Sequence, residues 1–273
     1  MRTSRALSCC CLLVAWLAGC ACATHHPHAT APKRLERSWE TKLDRDHPLV
    51  GEIWDVTRKQ RIDLETLRAR LQDSELVLLG ESHDNADHHR LEAELLEAVL
   101  AKGRKPTVVF EMLELGKQAT IDRALAEHPQ DVDGLGAAVD WSSSGWPSWS
   151  LYRPVFASAI GARLPLAAAG LDRPTAMHIA REGLAALDPG LVAKFALDTA
   201  LPALEQAQMR AEMKQSHCGL LPNSILDSMV LVQRARDAQL AERLHARSVP
   251  GQGAVLIAGT GHVRNDRGVP AAL

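Results

Sequence analysis

The chain carries two kinds of apolar pattern. Four short runs are almost continuously apolar: Leu76-Val77-Leu78-Leu79, Thr107-Val108-Val109-Phe110, Leu164 to Ala169, and Ala254-Val255-Leu256-Ile257-Ala258. A strand covered on both faces loses its in–out alternation, so each run predicts a buried strand of a parallel sheet. Between the first two runs, residues 86–102 place Leu91, Leu95 and Val99 on one stripe with charges elsewhere, which predicts a helix with one buried face. Asp84 is the expected N-cap, and Gly103 with Pro106 ends the segment. Strand, helix and strand with short connections form a βαβ unit with a right-handed crossover. Residues 174–187, 201–215 and 224–247 are patterned as helices with no strand between them. The expected fold class is α/β: a mostly parallel sheet flanked by helices, with a smaller helical subdomain inserted at about 174–247.

The first residues read differently. Arg2 and Arg5 precede an apolar stretch from Cys9 to Ala18, which is too short to span a bilayer but suits a signal peptide. Leu17-Ala18-Gly19-Cys20 resembles a bacterial lipobox, so residues 1–19 are expected to be removed and Cys20 to be lipidated. Cys9, Cys10 and Cys11 would leave with the leader. Cys22 and Cys218 would remain as thiols, which excludes a disulfide framework. Residues 20–46, rich in His, Pro, Ala and charge, read as a flexible tether, and residues 47–273 as the α/β domain. Ala21 after the lipidated cysteine favours the outer membrane of a bacterial cell envelope, facing the periplasm.

Composition narrows the possibilities further. At 273 residues, 46% hydrophobic and 23% charged, the chain is long enough for one large α/β domain. A net charge of −2 gives no support to nucleic-acid binding, which relies on a strong basic field.

Polar residues stand where the strands end, and open α/β sheets bind ligands outside the carboxyl ends of their strands. The first run leads into Gly80-Glu81-Ser82-His83-Asp84 and the second ends in Glu111. The third is followed by Asp172, and the fourth by Gly259-Thr260-Gly261-His262-Val263-Arg264. One rim would gather Glu81, His83, Glu111, Asp172, His262 and Arg264. Two carboxylates with two histidines suit either a divalent metal or general acid–base work. No zinc-type spacing is present. His88 and His89, at the start of the following helix, are further candidates to face this pocket. His217, before Gly219, reads either as a ligand contact or as part of a helix C-cap.

Five of the ten aromatic side chains fall between residues 141 and 156: Trp141, Trp146, Trp149, Tyr152 and Phe156. Interleaved with Ser142-Ser143-Ser144-Gly145 and Pro147, they read as a segment too irregular for a helix stripe. It is either a loop anchored on the sheet by its tryptophans or the wall of a site for a large flat ligand. A tyrosinate can also serve as an axial ligand to haem iron.

Gly80-Glu81-Ser82-His83, Phe110-Glu111-Met112, Asp140-Trp141 to Tyr152, and Gly259 to Arg264, taken in order, resemble the ChaN-like haem-binding lipoproteins over about residues 50–270. The resemblance implies a lipid-anchored haem-binding protein for haem or iron uptake, able to form a homodimer around paired haems held through tyrosine. Tyr152 is the sole tyrosine and takes the iron in that reading. His83, His88, Trp149, His217, His262 and Arg264 surround the haem, and an outer-membrane haem receptor is the implied partner. The same glycine-flanked motifs also resemble a wider group with erythromycin esterases and TIKI-type metalloproteases. That resemblance implies a hydrolase centred on Glu81, His83, Glu111 and His262, metal-dependent or acid–base. Relatives of this kind usually continue past the Gly-His motif into at least one more segment of the sheet, so the expectation is either a missing last element that leaves an exposed edge strand or a truncated product.

Overall fold

The computed structural model describes residues 32–273. The leader, Cys20, Cys22 and the start of the expected tether lie outside the described residues. A small antiparallel pair opens the fold, β1 (Ile53–Asp55) with β2 (Gln60–Ile62), and Trp54 stands opposite Arg61. Next come α1 (Leu64–Asp73), β3 (Leu76–Glu81), α2 (Ala86–Leu100) and β4 (Thr107–Glu114). Helices α3 (Gln118–Glu127), α4 (Val132–Ala138) and α5 (Trp149–Gly161) lead to β5 (Leu166–Gly170). The remainder is α6 (Arg173–Glu182), α7 (Pro189–Lys194), α8 (Ala203–Ser216), α9 (Leu226–Arg247), β6 (Ala254–Gly259) and α10 (Val269–Ala272).

All four predicted strands form, as one parallel sheet in the order β3-β6-β4-β5. The β3–α2–β4 unit therefore spans a gap that β6 fills from the far end of the chain. β6 is buried along its whole length and paired on both sides, and the edges are β3 and β5.

Alternate side chains of the sheet serve different layers. Val108, Phe110, Val255 and Ile257 face a core built with α2 and α5, including Leu96, Val99, Val155 and Phe156. Val109, Ala167, Leu256 and Ala258 face Leu240, Ala241 and Leu244 of α9. The C-terminal part of α9 is thus a layer of the main sandwich. Its N-terminal part joins α6 and α7 in a small cluster with Ile179, Leu191, Val232 and Ala235.

Three local expectations change. The cap of α2 is Asn85, whose side chain accepts from the Asp87 and His88 N–H groups, rather than Asp84. The aromatic segment is largely helical: Trp149, Tyr152 and Phe156 fall at i, i+3 and i+7 of α5, one face of a helix. Phe156 stacks on Phe110 with centroids 4.3 Å apart and on Trp149 at 4.7 Å, each contact worth roughly 0.5–1.5 kcal/mol beyond area burial. Finally, residues 33–46 pack against α2 instead of hanging free. Arg37 grips Glu94 through two bonds of 2.7 and 2.9 Å, and the N–H groups of Glu40 and Thr41 donate to buried Asp87 at 3.1 and 2.8 Å. A buried carboxylate needs such donors, and this stretch supplies them.

Candidate functional site

The carboxyl ends of β3, β4 and β6 converge, and Glu81, His83, Glu111 and His262 meet there as the strand-end motifs predict. Close packing depends on two glycines. A Cβ on Gly80 would lie 2.3 Å from a methyl of Val263, and one on Gly259 would lie 3.0 Å from the His83 ring. Backbone alone fits between those groups. The Thr260 hydroxyl ties the loop down by donating to the Glu81 carbonyl at 2.8 Å.

One half of the cluster is a linear array. Asp237 of α9 accepts from His262 Nδ1 at 2.6 Å, His262 Nε2 lies 3.1 Å from Glu111 Oε1, and Glu111 Oε2 accepts the Gly259 N–H at 2.8 Å. All three side chains are buried. Burial opposes the charged form of His262, yet the Glu111 charge and the hydrogen bonds of Asp237 and Glu111 prevail, and its pKa rises to about 10. For Glu111 burial pulls upward, but the charge and hydrogen bond of His262 hold its pKa down at about 2. Burial keeps Asp237 above the usual carboxylate range.

The other half centres on Glu81. Its Oε1 accepts from His83 Nδ1 at 2.6 Å, while its Oε2 is buried with no hydrogen-bond partner and lies 4.0 Å from His89 Nε2. Both ring nitrogens of His89 face oxygens, Glu92 Oε2 at 3.0 Å and the His83 carbonyl at 3.1 Å. Acceptors on both sides call for the doubly protonated ring. The raised pKa of His89 agrees: burial opposes it, and the Glu92 hydrogen bond with the other acceptors outweighs burial. Burial also lifts Glu92 to about 7.

His83 is the member of this group that reaches solvent, with its side chain 37% exposed. A carboxylate on Nδ1 favours the tautomer with its lone pair on Nε2, the usual arrangement of a histidine that ligates a metal, and that edge of the ring packs beside Gly259. Burial works against its charged form, but the hydrogen bond and charge of Glu81 raise its pKa overall. Trp146 packs edge-on to His83 at 4.7 Å. Trp146 also lines a cleft of about 410 Å³ with Trp141, Trp149 and Pro147.

Tyr152 is placed otherwise than an iron ligand requires. It has no exposed surface, and its hydroxyl points inward, 3.4 Å from Glu81 Oε1 and 3.3 Å from His83 Nδ1. Burial, followed by the charges of Glu81, Glu111 and Glu92, pushes the phenol far above its ordinary value, so tyrosinate is disfavoured. In this structure Tyr152 supports His83 from beneath.

The remaining candidates lie apart. Asp172 caps α6 by accepting from Thr175. Arg264 pairs with Asp266 and approaches Glu212. His217 is exposed at the end of α8 against the Met213 carbonyl. Trp149 packs on Trp141, with its N–H on Asp133. His88 faces away from the cluster, with Nδ1 accepting from the Ser82 N–H. Among the described residues, no group of three or more His, Cys, Asp or Glu side chains is arranged to hold a metal ion, so the divalent-metal expectation finds no support.

Sequence reading missed Glu92 and Asp237 and left His89 undecided. Asp237 was detectable: it occupies the buried stripe of α9, between Val230 and Leu244 at helical spacing. Glu92 stands three residues after His89, the spacing of same-face helical neighbours.

Residues 67–273 match the family described as "Haem-binding uptake, Tiki superfamily, ChaN". A solved structure described as cofacial heme binding to ChaN of Campylobacter jejuni superposes with a TM-score of 0.65 at 23% identity, covering 80% of this chain and 83% of that one. That likeness shows the α/β fold. The type III effector HopBA1 aligns over 74% of this chain and 73% of its own at 16% identity, and its TM-score of 0.42 carries no argument. No curated protein matches the chain. With three quarters of its length matched, this chain belongs to the haem-binding uptake family of ChaN within the Tiki superfamily.

Proposed function

We propose that the protein binds haem as cargo for uptake or handling, with His83 rather than Tyr152 presented to the iron. Family membership supports the ligand class. The observation that carries the residue choice is His83 itself: partly exposed, its tautomer fixed by buried Glu81, and flanked by Trp146 beside an aromatic cleft. Such a cleft suits one face of a flat apolar macrocycle. Lipid attachment at Cys20, an outer-membrane location facing the periplasm, a haem receptor as donor and a homodimer around paired haems complete this reading. Titration of haemin into the processed chain tests it. A Soret band is expected in the wild type and in Tyr152→Phe, and its loss or shift in His83→Ala. An unchanged spectrum in His83→Ala, or a changed one in Tyr152→Phe, overturns the assignment to His83.

One observation favours a second reading. Buried charges normally reduce stability compared with apolar side chains of the same size, yet the cluster keeps a carboxylate–histidine–carboxylate array beside an unpartnered Glu81 oxygen. An acid–base hydrolase using Glu81, His83, Glu111 and His262 would need such an array. It predicts turnover on an ester or peptide panel that disappears in Glu81→Gln and His262→Ala; a panel with no turnover removes it.

A further inference from the structure

Eleven large apolar side chains are exposed among the described residues, and four of them fall within the short stretch Leu43–Val56: Leu43, Leu49, Trp54 and Val56. Their exposures run from 51% for Trp54 to 80% for Leu43. Leu43 and Trp54 stand at an apolar groove of about 430 Å³, whose walls include Trp39, Ile53, Leu67 and Leu91. A lip of exposed apolar side chains at the mouth of an apolar groove, with two more close by in the chain, is unusual on a protein surface with nothing to cover it.

Two observations decide what covers it. The chain enters the fold on this face: Leu35 lines the same groove and donates its N–H to the Gly51 carbonyl at 2.7 Å. Pro32 stands only 12 positions after Cys20, a reach of at most about 43 Å even fully extended. A lipid on Cys20 would therefore keep this face close to a bilayer. The lip also has the composition of an interfacial contact, with a tryptophan and aliphatic side chains flanked by Lys42, Arg45, Arg58, Lys59 and Arg61. Within residues 42–61 these five cations meet four acids, so apolar insertion rather than charge dominates.

We infer that the Leu43–Val56 face is a bilayer-contact surface, a second point of attachment beside the proposed lipid on Cys20. The lipid alone would attach the chain, and a second contact would add buried apolar area to that attachment. It also fixes the molecule's orientation.

The compact fold spans Lys33–Leu273, so the chain from residue 20 with Cys20→Ser keeps it whole without leader or lipid. Flotation of this protein with vesicles of phosphatidylethanolamine and phosphatidylglycerol reads the contact directly. Flotation is expected to fall about tenfold or more in Leu49→Ser/Trp54→Ser/Val56→Ser, and to persist in Leu204→Ser/Leu220→Ser, which removes equally exposed apolar groups elsewhere. Quenching by bromine-labelled acyl chains provides a second measurement, expected in the wild type and lost in Trp54→Phe, a change that keeps the site apolar. Absence of flotation in the Cys20→Ser protein, or equal flotation of the two multiple variants, overturns the inference. Self-association lost in the triple variant without vesicle binding would also overturn it and assign the face to a second copy. Haemin titration of the same variants is expected to be unchanged, so failure here is distinguishable from failure of the haem reading.

Discussion

His88 and His89 are neighbours on α2, about 100° apart around the helix axis, and they belong to two regions of opposite chemistry. His89 turns into the strand-end cluster, where both ring nitrogens meet oxygens and its pKa rises. His88 turns to the apolar groove, where Nδ1 accepts a backbone N–H and burial lowers its pKa. The same side chain is thus pushed toward its charged form on one face of the helix and away from it on the other. The strand-end region buries charge at a cost to stability and is closed except at His83. The groove region exposes apolar surface, which affects stability little. Residues of the first kind should be expensive to alter whatever else they do, and residues of the second cheap.

The largest expected effect is at the centre of the cluster. His262→Leu leaves Glu111 and Asp237 buried and facing each other without a cation, and should cost about 3–5 kcal/mol in urea unfolding. A loss below about 1 kcal/mol, the scale of an exposed pair, would show that these charges are not coupled.

The pH dependence of stability comes next. The folded-state pKa of His262 is raised from 6.5 to about 10, so its stabilisation is complete below pH 6.5 and is lost as pH rises toward 10. That of Glu111 is lowered from 4.5 to about 2, so its contribution is present above pH 4.5 and fades toward pH 2. Asp237, raised by burial, works against Glu111 on the acid side and makes that flank the shallower. Thermal melts should therefore fall off on the alkaline flank, and His262→Leu should flatten that flank.

Tyr152→Phe should have a smaller effect. The hydroxyl bonds at 3.3 and 3.4 Å are long, and their loss should cost about 0.5–1.5 kcal/mol by calorimetry. Smallest of all, Leu49→Ser or Trp54→Ser should each change unfolding stability by no more than about 0.5 kcal/mol. A larger loss would mean that the lip is part of the core.

Legibility in the sequence followed the same division. The four strands were readable because their apolar runs admit no solvent face, and Glu81, His83, Glu111 and His262 were readable because they follow those runs directly. Asp237 and Glu92 escaped because a polar residue on a helix ordinarily belongs to its wet side. Only knowing that α9 covers the sheet reverses that inference. The spacing of Trp149, Tyr152 and Phe156 was helical, but Pro147 and the Ser142–Gly145 run before it pointed to a loop. Asp87 and Glu94 explain the misread tether: two carboxylates of α2 hold an otherwise unpatterned stretch.

The placement of β6 between β3 and β4 also has a consequence in time. β6 begins at Ala254, 140 residues after β4 ends at Glu114, so a chain delivered N-terminus first presents it long after both of its neighbours. Until it arrives, β3 and β4 have a vacant lane between them and cannot pair with each other at the native spacing. Contacts so distant in sequence form slowly. Gly259 and His262 arrive with that strand, so the strand-end chemistry assembles in the same step that closes the sheet. A chain that has not yet reached β6 would hold most of its helices, with Glu111 and Asp237 still lacking His262 between them.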